Sequence, residues 1–307
     1  MTIVPPSSDE PRRPSGPRNP GDAWVIAPSG EKYWGRFGAA GLLAVDAERG
    51  ILLQHRVGWS HFGGTWGLPG GALHEAESAL IGAQREAREE AGVPEGAVRP
   101  RFTSVLDLQV WSYTTVVADV QEPFEPVISD PESVALEWVP LAEVDQRPLH
   151  PGFGTAWPRL RALLEHRPVL VVDAANVVGS VPDGWWKDRA GAVGRLLTSL
   201  RALVAAGIPA DDLDLDAVRW FPDVTVVVEG AARAVEASDE DIRLVRADGS
   251  GDDAIVAEVE RLKGQGRGAT VVTSDRGLRD RIVQLGARTI SSGRLVELMR
   301  HTASPSV

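Results

Sequence analysis

Five acidic residues share a short stretch of the chain, and the spacing of the last three suits metal chemistry. Residues 71–93 read GALHEAESALIGAQREAREEAGV. Each residue of an α-helix advances about 100° around the axis, so Glu86, Glu89 and Glu90 fall within an arc of about 100°. Carboxylates at this spacing repel one another, and a hard divalent cation with oxygen ligands, such as Mg²⁺, offsets that repulsion. The pattern therefore predicts a magnesium site on one face of a helix.

The rest of the stretch predicts how that helix is oriented. Arg85 precedes Glu89 by four residues, a spacing at which it can pair with Glu89 and orient it. An apolar stripe of Leu80, Ala83, Ala87 and Ala91 is bordered by Glu86 and Glu90, so these two acids face partly inward. An ordinary surface helix rich in Glu and Arg is the alternative. We predict a helix over residues 78–91, closed by Gly92 in the left-handed conformation.

The complete spacing resembles the signature of the Nudix hydrolase family. It runs from Gly71 and Glu77 through Arg85-Glu86 and Glu89-Glu90 to Gly92. The resemblance implies that Glu86, Glu89 and Glu90 bind Mg²⁺ or Mn²⁺, that Gly71 offers a backbone carbonyl, and that Glu89 helps to deprotonate water. It also implies hydrolysis of a pyrophosphate linkage in a nucleoside diphosphate derivative, a reaction in which metals lower the pKa of water and neutralise developing charge.

Two further segments are candidates for substrate contact or catalysis. Members of this family often add a carboxylate downstream, for which Glu132 is the first candidate and Glu137 the second. Residues 55–71, HRVGWSHFGGTWGLPGG, form a glycine-rich, aromatic loop. The loop offers aromatic side chains that could stack on a base, namely Trp59, His61, Phe62 and Trp66, and the alternative for Trp66 is that it only anchors the loop. For His55 and Arg56 the alternatives are contact with phosphate and a place at the surface. The segment resembles the branch of the family that converts nucleoside triphosphates to monophosphates and pyrophosphate.

Composition limits the classes of protein. The 307 residues carry a formal net charge of −11 and no cysteine, which excludes disulfides and argues against broad electrostatic binding of nucleic acid. No apolar run approaches the roughly 18 residues that a membrane span needs, and we expect a cytoplasmic protein. The length suits two domains. We predict a disordered leader over 1–22, a first domain over 23–165 and a second over 166–307, and the oligomeric state stays open.

The first domain is predicted to be a mixed sheet around the helix of residues 78–91. Strand patterns occupy residues 39–45, 51–55, 102–110, 112–119 and 134–140. The Nudix resemblance implies that they form an α/β/α sandwich.

The second domain is predicted to be a parallel α/β sheet. Residues 168–179, PVLVVDAANVVG, are typical of a strand buried on both faces with polar residues at its end. Further strands (224–228, 242–245, 270–274, 287–290) alternate with helical patterns (187–206, 253–263, 276–285, 293–300). Ligands of such sheets bind beyond the carboxyl ends of the strands, where Asp173, Asp252-Asp253 and Asp275 are predicted to converge.

This arrangement resembles the PIN-like nuclease superfamily, in particular its NYN branch. The resemblance implies that Asp173, Asp252 or Asp253, and Asp275 bind Mg²⁺ or Mn²⁺ for phosphodiester cleavage, that Asn176 contacts substrate, and that Asp280 or Asp248 supplies a fourth acid. The alternative is that the aspartates only cap helices. Trp185 and Trp186 stack on RNA bases or cover the core. The second domain is then a ribonuclease, or it is a binding module for RNA or nucleotide beside a first domain that processes RNA 5′ ends or nucleotide caps.

Overall fold

The computed structural model describes residues 1–6, 20–182, 184–236 and 242–303. The chain divides into two compact units, Met1–Ala162 and Leu163–Val307.

The first unit is built on a mixed sheet. Its strands are β1 (Thr2–Val4), β2 (Trp24–Ile26), β3 (Lys32–Trp34), β4 (Ala39–Asp46), β5 (Gly50–Arg56), β6 (Trp66–Gly67), β7 (Gly70–Ala72), β8 (Val98–Asp107), β9 (Ser112–Val120) and β10 (Ser133–Val139), and its helices are α1 (Ala79–Ala91) and α2 (Pro151–Leu163). The main order is β10-β5-β4-β9-β8, with β6 on β5 and β7 on β4. Strand β4 runs parallel to β9, while the other neighbours are antiparallel. The predicted mixed sheet is therefore confirmed.

The start of the chain differs from the predicted leader. Thr2–Val4 pair antiparallel with β2, which in turn pairs with β3. β-Branched residues favour extended backbone, and three of them in the sequence TIV followed by Pro5-Pro6 give one short edge strand. Residues 7–19 of the predicted leader lie outside the described residues.

Helix α1 packs its alanine stripe on the sheet. Ala83, Ala87 and Ala91 are fully buried against residues of β4, β5 and β9. Ser78 caps its first turn by accepting a hydrogen bond from the amide of Ile81, and Gly92 ends it with φ of 65°. Both predicted ends of the helix thus hold to within one residue, because cap chemistry and the apolar stripe act together.

The second unit is a five-stranded parallel sheet. The elements in chain order are β11 (Val169–Asp173), α3 (Ala174–Gly179), α4 (Arg189–Ala206), β12 (Ile208–Pro209), β13 (Arg219–Trp220), β14 (Asp223–Val228), β15 (Ile242–Arg246), α5 (Gly251–Gly264), β16 (Ala269–Val272), α6 (Arg276–Gln284), β17 (Arg288–Ile290) and α7 (Ser292–Ala303). The order is β15-β14-β11-β16-β17, and all four pairings are parallel. Strands β12 and β13 pair with each other in the antiparallel direction.

The central strand β11 is buried on both faces, as its apolar run predicts. Val169 and Val171 pack with α5 and α6 on one face, and Leu170 and Val172, which alternate with them, are also buried. The run does not stay extended to residue 179, however. Asp173 accepts a hydrogen bond from the amide of Asn176 and so starts α3, because an N-cap side chain overrides the strand tendency of the valines that follow.

Among the described residues, no helix combines the length and the apolar character needed to cross a bilayer.

Candidate functional sites

Two of the three helix carboxylates lie beneath α1. Glu86 and Glu90 are 3% and 1% exposed, whereas the side chain of Glu89 is 47% exposed. The difference follows from the alanine stripe, which turns Glu86 and Glu90 toward the sheet and leaves Glu89 at the rim. Burying charged groups is costly unless they are compensated, so the partners of these acids determine what the site can do.

Gly71 leaves room for the carboxylate of Glu86. A Cβ atom on Gly71 would lie 2.7 Å from the Oε1 atom of Glu86 and 2.9 Å from its Oε2 atom. Any L side chain at position 71 would therefore displace the carboxylate. Strand β7 brings Gly71 to this place by pairing it with Ala40 of β4.

Glu90 is held by a second strand and a neighbouring amide. Its Oε2 atom accepts a hydrogen bond from the amide of Gly70 at 2.9 Å and lies 3.5 Å from the Nε2 atom of Gln54. The same Nε2 atom donates to the hydroxyl of Ser133 at 2.7 Å. The Oε1 atom of Gln54 is buried and has no hydrogen-bond partner among the described residues. An orphaned carbonyl oxygen beside a buried carboxylate is typical of a position that a further polar group or cation completes.

Arg85 makes the predicted pair with Glu89 and also makes shorter contacts that the sequence did not predict. Its guanidinium makes two hydrogen bonds of 2.8 Å to Glu77, one of 2.8 Å to Glu86 and one of 3.1 Å to the carbonyl of Ala72, while Glu89 lies at 3.4 Å. The carboxylate of Glu77 matches the planar fork of the guanidinium, so the helix spacing to Glu89 is a weaker attraction. The bonds from Arg85 are the main cause that lowers the pKa of Glu77.

Arg85 therefore positions the loop before α1 as well as the helix itself. Glu77 also accepts a hydrogen bond from the amide of His74. It belongs to the recognised spacing, but the sequence assigns it no role. Only the fold shows that Arg85 reaches back eight residues to it.

The downstream carboxylates reach different places. Glu132 lies in the segment before β10, with its carboxylate 3.7 Å from the guanidinium of Arg56. Glu137, on β10 itself, pairs with Arg147 at 2.9 Å. Asp130, which the sequence analysis did not identify, is 7% exposed and accepts a hydrogen bond from the amide of Glu132. Because Val57 donates to the carbonyl of Glu132, Glu132 is fixed beside the end of β5, where Gln54 and Arg56 share one face.

His55 and Trp66 do not face the carboxylates. Alternation along β5 places His55 on the opposite face from Gln54 and Arg56. There its ring stacks on Trp66 with a centroid distance of 4.7 Å, and the Arg147 guanidinium lies 4.8 Å from the Trp66 centroid. Trp66 is 6% exposed. The substrate roles predicted for His55 and Trp66 are thus not supported, and Trp66 anchors the glycine-rich loop. Trp59 and Phe62 of the same loop are 54% and 44% exposed.

The pKa of Tyr113 responds both to the carboxylates of α1 and to Arg56. Burial first, and then the charges of Glu90 and Glu86, raise the pKa of its phenol, while Arg56 acts in the opposite sense. The hydroxyl lies over Gly41 of β4, where a Cβ atom would collide with it. Arg56, Tyr113 and the acids of α1 therefore belong to one region.

The residues present fit a hard divalent ion. No group of three or more His, Asp or Glu side chains in the described part of the chain encloses a metal position. Mg²⁺ does not need such a cage, because it keeps several waters and shares substrate phosphates. The available donors are carboxylate oxygens and the orphaned amide oxygen of Gln54, and oxygen donors select Mg²⁺ or Mn²⁺.

A second acidic cluster lies at the carboxyl edge of the parallel sheet. Asp173 ends β11, is 8% exposed and accepts a hydrogen bond from the hydroxyl of Thr273 at 2.9 Å. Burial, followed by the charges of Asp252 and Glu229, raises its pKa. The pKa of Asp252 is raised as well, first by burial and then by Asp275. These shifts mean that the carboxylates interact across the edge.

The structure separates the neighbours Asp252 and Asp253 and identifies another acid. Asp253 pairs with Arg281 at 2.7 Å and its side chain is 72% exposed, whereas Asp252 interacts with the cluster. Glu229 directly follows β14 and accepts a hydrogen bond from the amide of Gly251 at 2.7 Å, and its charge acts on Asp173 and Asp252. The role of a fourth acid for Asp280 or Asp248 stays a prediction. Asp248 is fully exposed. An acid immediately after the VTVVV strand is the signal that would have found Glu229.

Asn176 and Asp275 also have structural partners at this edge. The Oδ1 atom of Asn176 accepts hydrogen bonds from the amide of Ser274 at 2.9 Å and the hydroxyl of Ser292 at 2.6 Å. Asp275 caps α6 by accepting a hydrogen bond from the amide of Leu278. Asn176 therefore ties β11 to β16 and α7. Of the tryptophan pair, Trp186 is 61% exposed, and Arg189 lies over the ring of Trp185.

The comparisons match about half of the chain. The NUDIX domain model matches residues 35–160. "Putative 8-oxo-dGTP diphosphatase 3" of Mycobacterium tuberculosis is 49% identical over 154 residues, which cover 47% of this chain and 70% of that protein. A "Nucleoside triphosphate pyrophosphatase/Nudix hydrolase fusion protein" of Bifidobacterium longum is 41% identical over 155 residues, covering 48% and 32%. A crystal structure of a Nudix hydrolase from M. smegmatis, RenU, is 44% identical, covers 47% of this chain and 95% of that one, and has a TM-score of 0.44.

Proposed function

The chain belongs to the Nudix hydrolase family through residues 35–160, and from this we propose that its first unit hydrolyses nucleoside triphosphates to monophosphates and pyrophosphate with Mg²⁺ or Mn²⁺. The observation that carries the proposal is the set of oxygen donors around α1: Glu86 against Gly71, Glu90 beside Gln54, and Glu89 at the rim. The bound metal would polarise phosphate oxygens and lower the pKa of water.

Within this proposal each residue has a defined task. Glu86 and Glu90 would hold the metal from the buried side together with the carbonyl of Gly71, while Glu89, which is reachable from solvent, would accept the proton of the attacking water. Arg85 is a positioning residue, because it fixes Glu86 and Glu77. Arg56, next to Glu132, contacts substrate phosphate.

The experiment is a product analysis with the full chain. Each deoxynucleoside triphosphate is incubated with Mg²⁺, Mn²⁺ or neither, and the phosphorus products are identified by ³¹P NMR. The expected products are a monophosphate and pyrophosphate, formed only with metal. Formation of a nucleoside diphosphate and orthophosphate, or no turnover of any triphosphate, would contradict the proposal. RNA with a 5′ triphosphate or a nucleotide cap is the alternative substrate, and preferred turnover of such RNA would favour 5′-end processing.

For the second unit we propose metal-dependent cleavage of RNA by a PIN/NYN-like domain. Burial and then the charges of Asp252 and Glu229 raise the pKa of Asp173, and burial and then the charge of Asp275 raise the pKa of Asp252. This favours the proposal, because acids that only capped helices would not have to face one another. No group of three or more acids in the described residues is arranged to enclose a metal ion, so the ion would be held by fewer of the acids at this edge, of which Asp173 and Asp252 are the first candidates and Glu229 and Asp275 the next. Bound Mg²⁺ or Mn²⁺ would supply the activated water.

The test uses labelled single-stranded and hairpin RNA with the full-length Glu90→Gln variant, so that the first site is silent. Asp173→Asn in this background should abolish cleavage while leaving the melting temperature within a few degrees. Metal-independent binding without cleavage would identify the second unit as a binding module, and the nuclease proposal would fail.

A further inference from the structure

The second unit holds several basic side chains that the rest of the fold leaves unengaged. Five of them are exposed and make no side-chain hydrogen bond or ion pair with any residue that the structure describes: Lys187, Arg189, Arg276, Arg279 and Arg300. Other arginines of this unit are paired, such as Arg281 with Asp253 and Arg288 with Asp214. The chain has 43 acidic residues against 32 lysines and arginines, so acidic partners are plentiful. The place of the unengaged side chains in the fold therefore needs an explanation.

One of these side chains lies beside Glu229, and another is close to it in the chain. Arg189 is the first residue of α4, and its Nη1 atom lies 4.0 Å from where a Cβ atom on Gly230 would be. Gly230 directly follows Glu229, an acid of the second cluster. Lys187 ends the short 3₁₀ helix that leads into α4. Lys187 and Arg189, here called the first basic pair, therefore belong to the β14 side of the acidic edge.

Two more of these side chains follow Asp275. Arg276 is the first residue of α6, the helix that Asp275 caps, and the amide of Arg279 donates to the carbonyl of Asp275 at 3.1 Å. Arg276 and Arg279, here called the second basic pair, therefore belong to the β16 side of the same edge. The fifth side chain, Arg300, lies in the last turn of α7, about 12 Å of helix beyond the start of α7 at this edge.

The order of the strands places the acids between the two basic pairs. Strand β11 lies between β14 and β16 in the parallel sheet. Glu229 follows β14, Asp173 ends β11 and Asp275 follows β16, so these acids form a row across the carboxyl edge. The first basic pair lies at the Glu229 end of the row and the second at the Asp275 end. A ligand that contacts both pairs must carry negative charge on both sides of Asp173, as a polyanion does and a single phosphate group does not.

An exposed aromatic ring accompanies the first basic pair. Trp186 is 61% exposed. Trp185 instead packs toward α3, since a Cβ atom on Gly179 would lie 3.8 Å from its Cζ2 atom, and the Arg189 guanidinium lies 5.4 Å from its ring centroid. The two indole rings meet edge to face, with centroids 6.2 Å apart and an interplanar angle of 83°. Trp185 therefore supports Arg189, while Trp186 keeps a ring surface open to solvent.

We propose that the acidic edge of the second unit is a track for single-stranded RNA, in which phosphates on the two sides of the acids contact the two basic pairs and one base stacks on Trp186. Proteins that bind single strands combine cations along the backbone with open aromatic rings. A duplex fits this track less well, because its bases are stacked on one another and cannot reach Trp186. The inference rests on the RNA cleavage proposed for this unit and adds the groups that hold the strand.

The test measures how RNA binding by the full chain depends on salt. A labelled oligouridylate with a 5′ hydroxyl group, which offers no pyrophosphate linkage to the first unit, is titrated in EDTA so that neither site turns it over. For single strands the slope of log K against log[salt] is about −0.7 for each neutralised phosphate. Replacing both residues of either basic pair by Gln should therefore make the slope less steep by about 1.4.

Arg300→Gln is the matched control, because it removes an exposed, unengaged arginine of the same unit that lies away from the edge. It should leave the slope unchanged. Absence of wild-type binding at low salt, a slope that responds to only one basic pair or to neither, or an equal response to Arg300→Gln would overturn the track. Wild-type protein should also bind the single strand more tightly than a duplex of the same length, an arm that does not depend on the folding of a variant, and tighter duplex binding would overturn the proposal too.

A further arm separates the base from the phosphates. Trp186→Ala should weaken RNA binding about fivefold or more and leave the binding of inorganic polyphosphate, which carries no base, unchanged. Equal effects on the two ligands, or none on RNA, would overturn the stacking and with it the single-strand track. Binding with the expected slopes but without cleavage in Mg²⁺ would contradict the proposed nuclease and support the track, whereas cleavage with unchanged slopes would support the nuclease and overturn the track.

Discussion

The two acidic clusters of this protein differ in how their charge is balanced. In the first unit, the acids of α1 lie beside Arg85, which bonds Glu77 and Glu86, and Arg56 adds a second positive charge nearby. At the carboxyl edge of the parallel sheet, Asp173 and Asp252 instead face other acids, and their pKa values are raised. The first cluster has a counter-charge bonded to its acids, whereas in the second Asp173 is held by a backbone amide and a hydroxyl group, and Arg281 acts on Asp252 through its charge.

The difference also separates the two regions in their response to pH. Burial, and then nearby positive charge, lowers the pKa of His150 in the first unit, while burial, and then the charge of Asp275, raises the pKa of Asp252 in the second. Acidification should therefore lower the free energy of unfolding through His150 in the first unit and raise it through Asp252 in the second.

The largest expected effect is on catalysis at the first cluster. Glu89→Gln and Glu90→Gln should each reduce kcat/KM for nucleoside triphosphates by about 100-fold or more, because an amide keeps the shape of the side chain but loses the carboxylate that accepts a proton at position 89 and holds metal at position 90. Steady-state assays and circular dichroism would separate activity from folding. Glu75→Gln, an exposed change outside the spacing, is the control. A loss of less than about tenfold, or about 1.4 kcal/mol, would contradict the assignment.

The next effect tests the built-in counter-charge. Arg85→Ala leaves the largely buried Glu86 and Glu77 without their partner, and should lower the free energy of unfolding by about 3 kcal/mol, as for other broken buried pairs. Arg88→Ala on the same helix is the matched control, since Arg88 is 55% exposed and lies 3.8 Å from Glu95, and it should change stability by less than about 0.5 kcal/mol. Urea unfolding would measure both. Equal losses would mean that Arg85 is not the compensating charge.

A third prediction concerns acid sensitivity of the first unit. The folded pKa of His150 is about 4 and the unfolded value is near 6.5, so between these values the unfolded chain binds a proton that the folded chain does not. Stability should fall as the pH drops through this window, by about 1 to 3 kcal/mol from this group. His150→Phe should flatten that part of the profile in urea unfolding at pH 7 and pH 5. An identical slope in the variant would show that His150 is not buried neutral.

The smallest expected effect is on the stability of the second unit, where acidification should stabilise the fold instead of destabilising it. Because Asp252 has a raised folded pKa, its ionised form weakens the fold at neutral pH, and protonation on acidification removes the penalty. Asp252→Asn should leave stability at pH 7.5 unchanged or raise it by up to about 0.5 kcal/mol. Asp253→Asn, which loses the ion pair with Arg281, should lower it slightly. Thermal melts of both variants would check the order, and greater destabilisation by Asp252→Asn would refute the repulsion.

Sequence by itself determined the local elements that one helix or one strand can encode. The alanine stripe, Ser78 and Gly92 define α1, and the spacing of Glu86, Glu89 and Glu90 on it follows from helix geometry alone. The alternation of apolar strands and helices from β11 to α7 likewise predicts a parallel sheet. These features are local in the chain, so their periodicity is visible without knowledge of the fold.

Only the tertiary structure decided which side chains meet. Arg85 bonds Glu77 and Glu86 in addition to the predicted Glu89. Gln54 and Arg56 reach the site from β5, and Glu132 reaches it from the segment before β10. Glu229 lies close enough to Asp173 to raise its pKa, whereas Asp253 pairs with Arg281. His55 and Arg56 are adjacent in sequence but lie on opposite faces of β5. Contacts between distant segments depend on strand register and on burial, which a pattern within one segment does not contain.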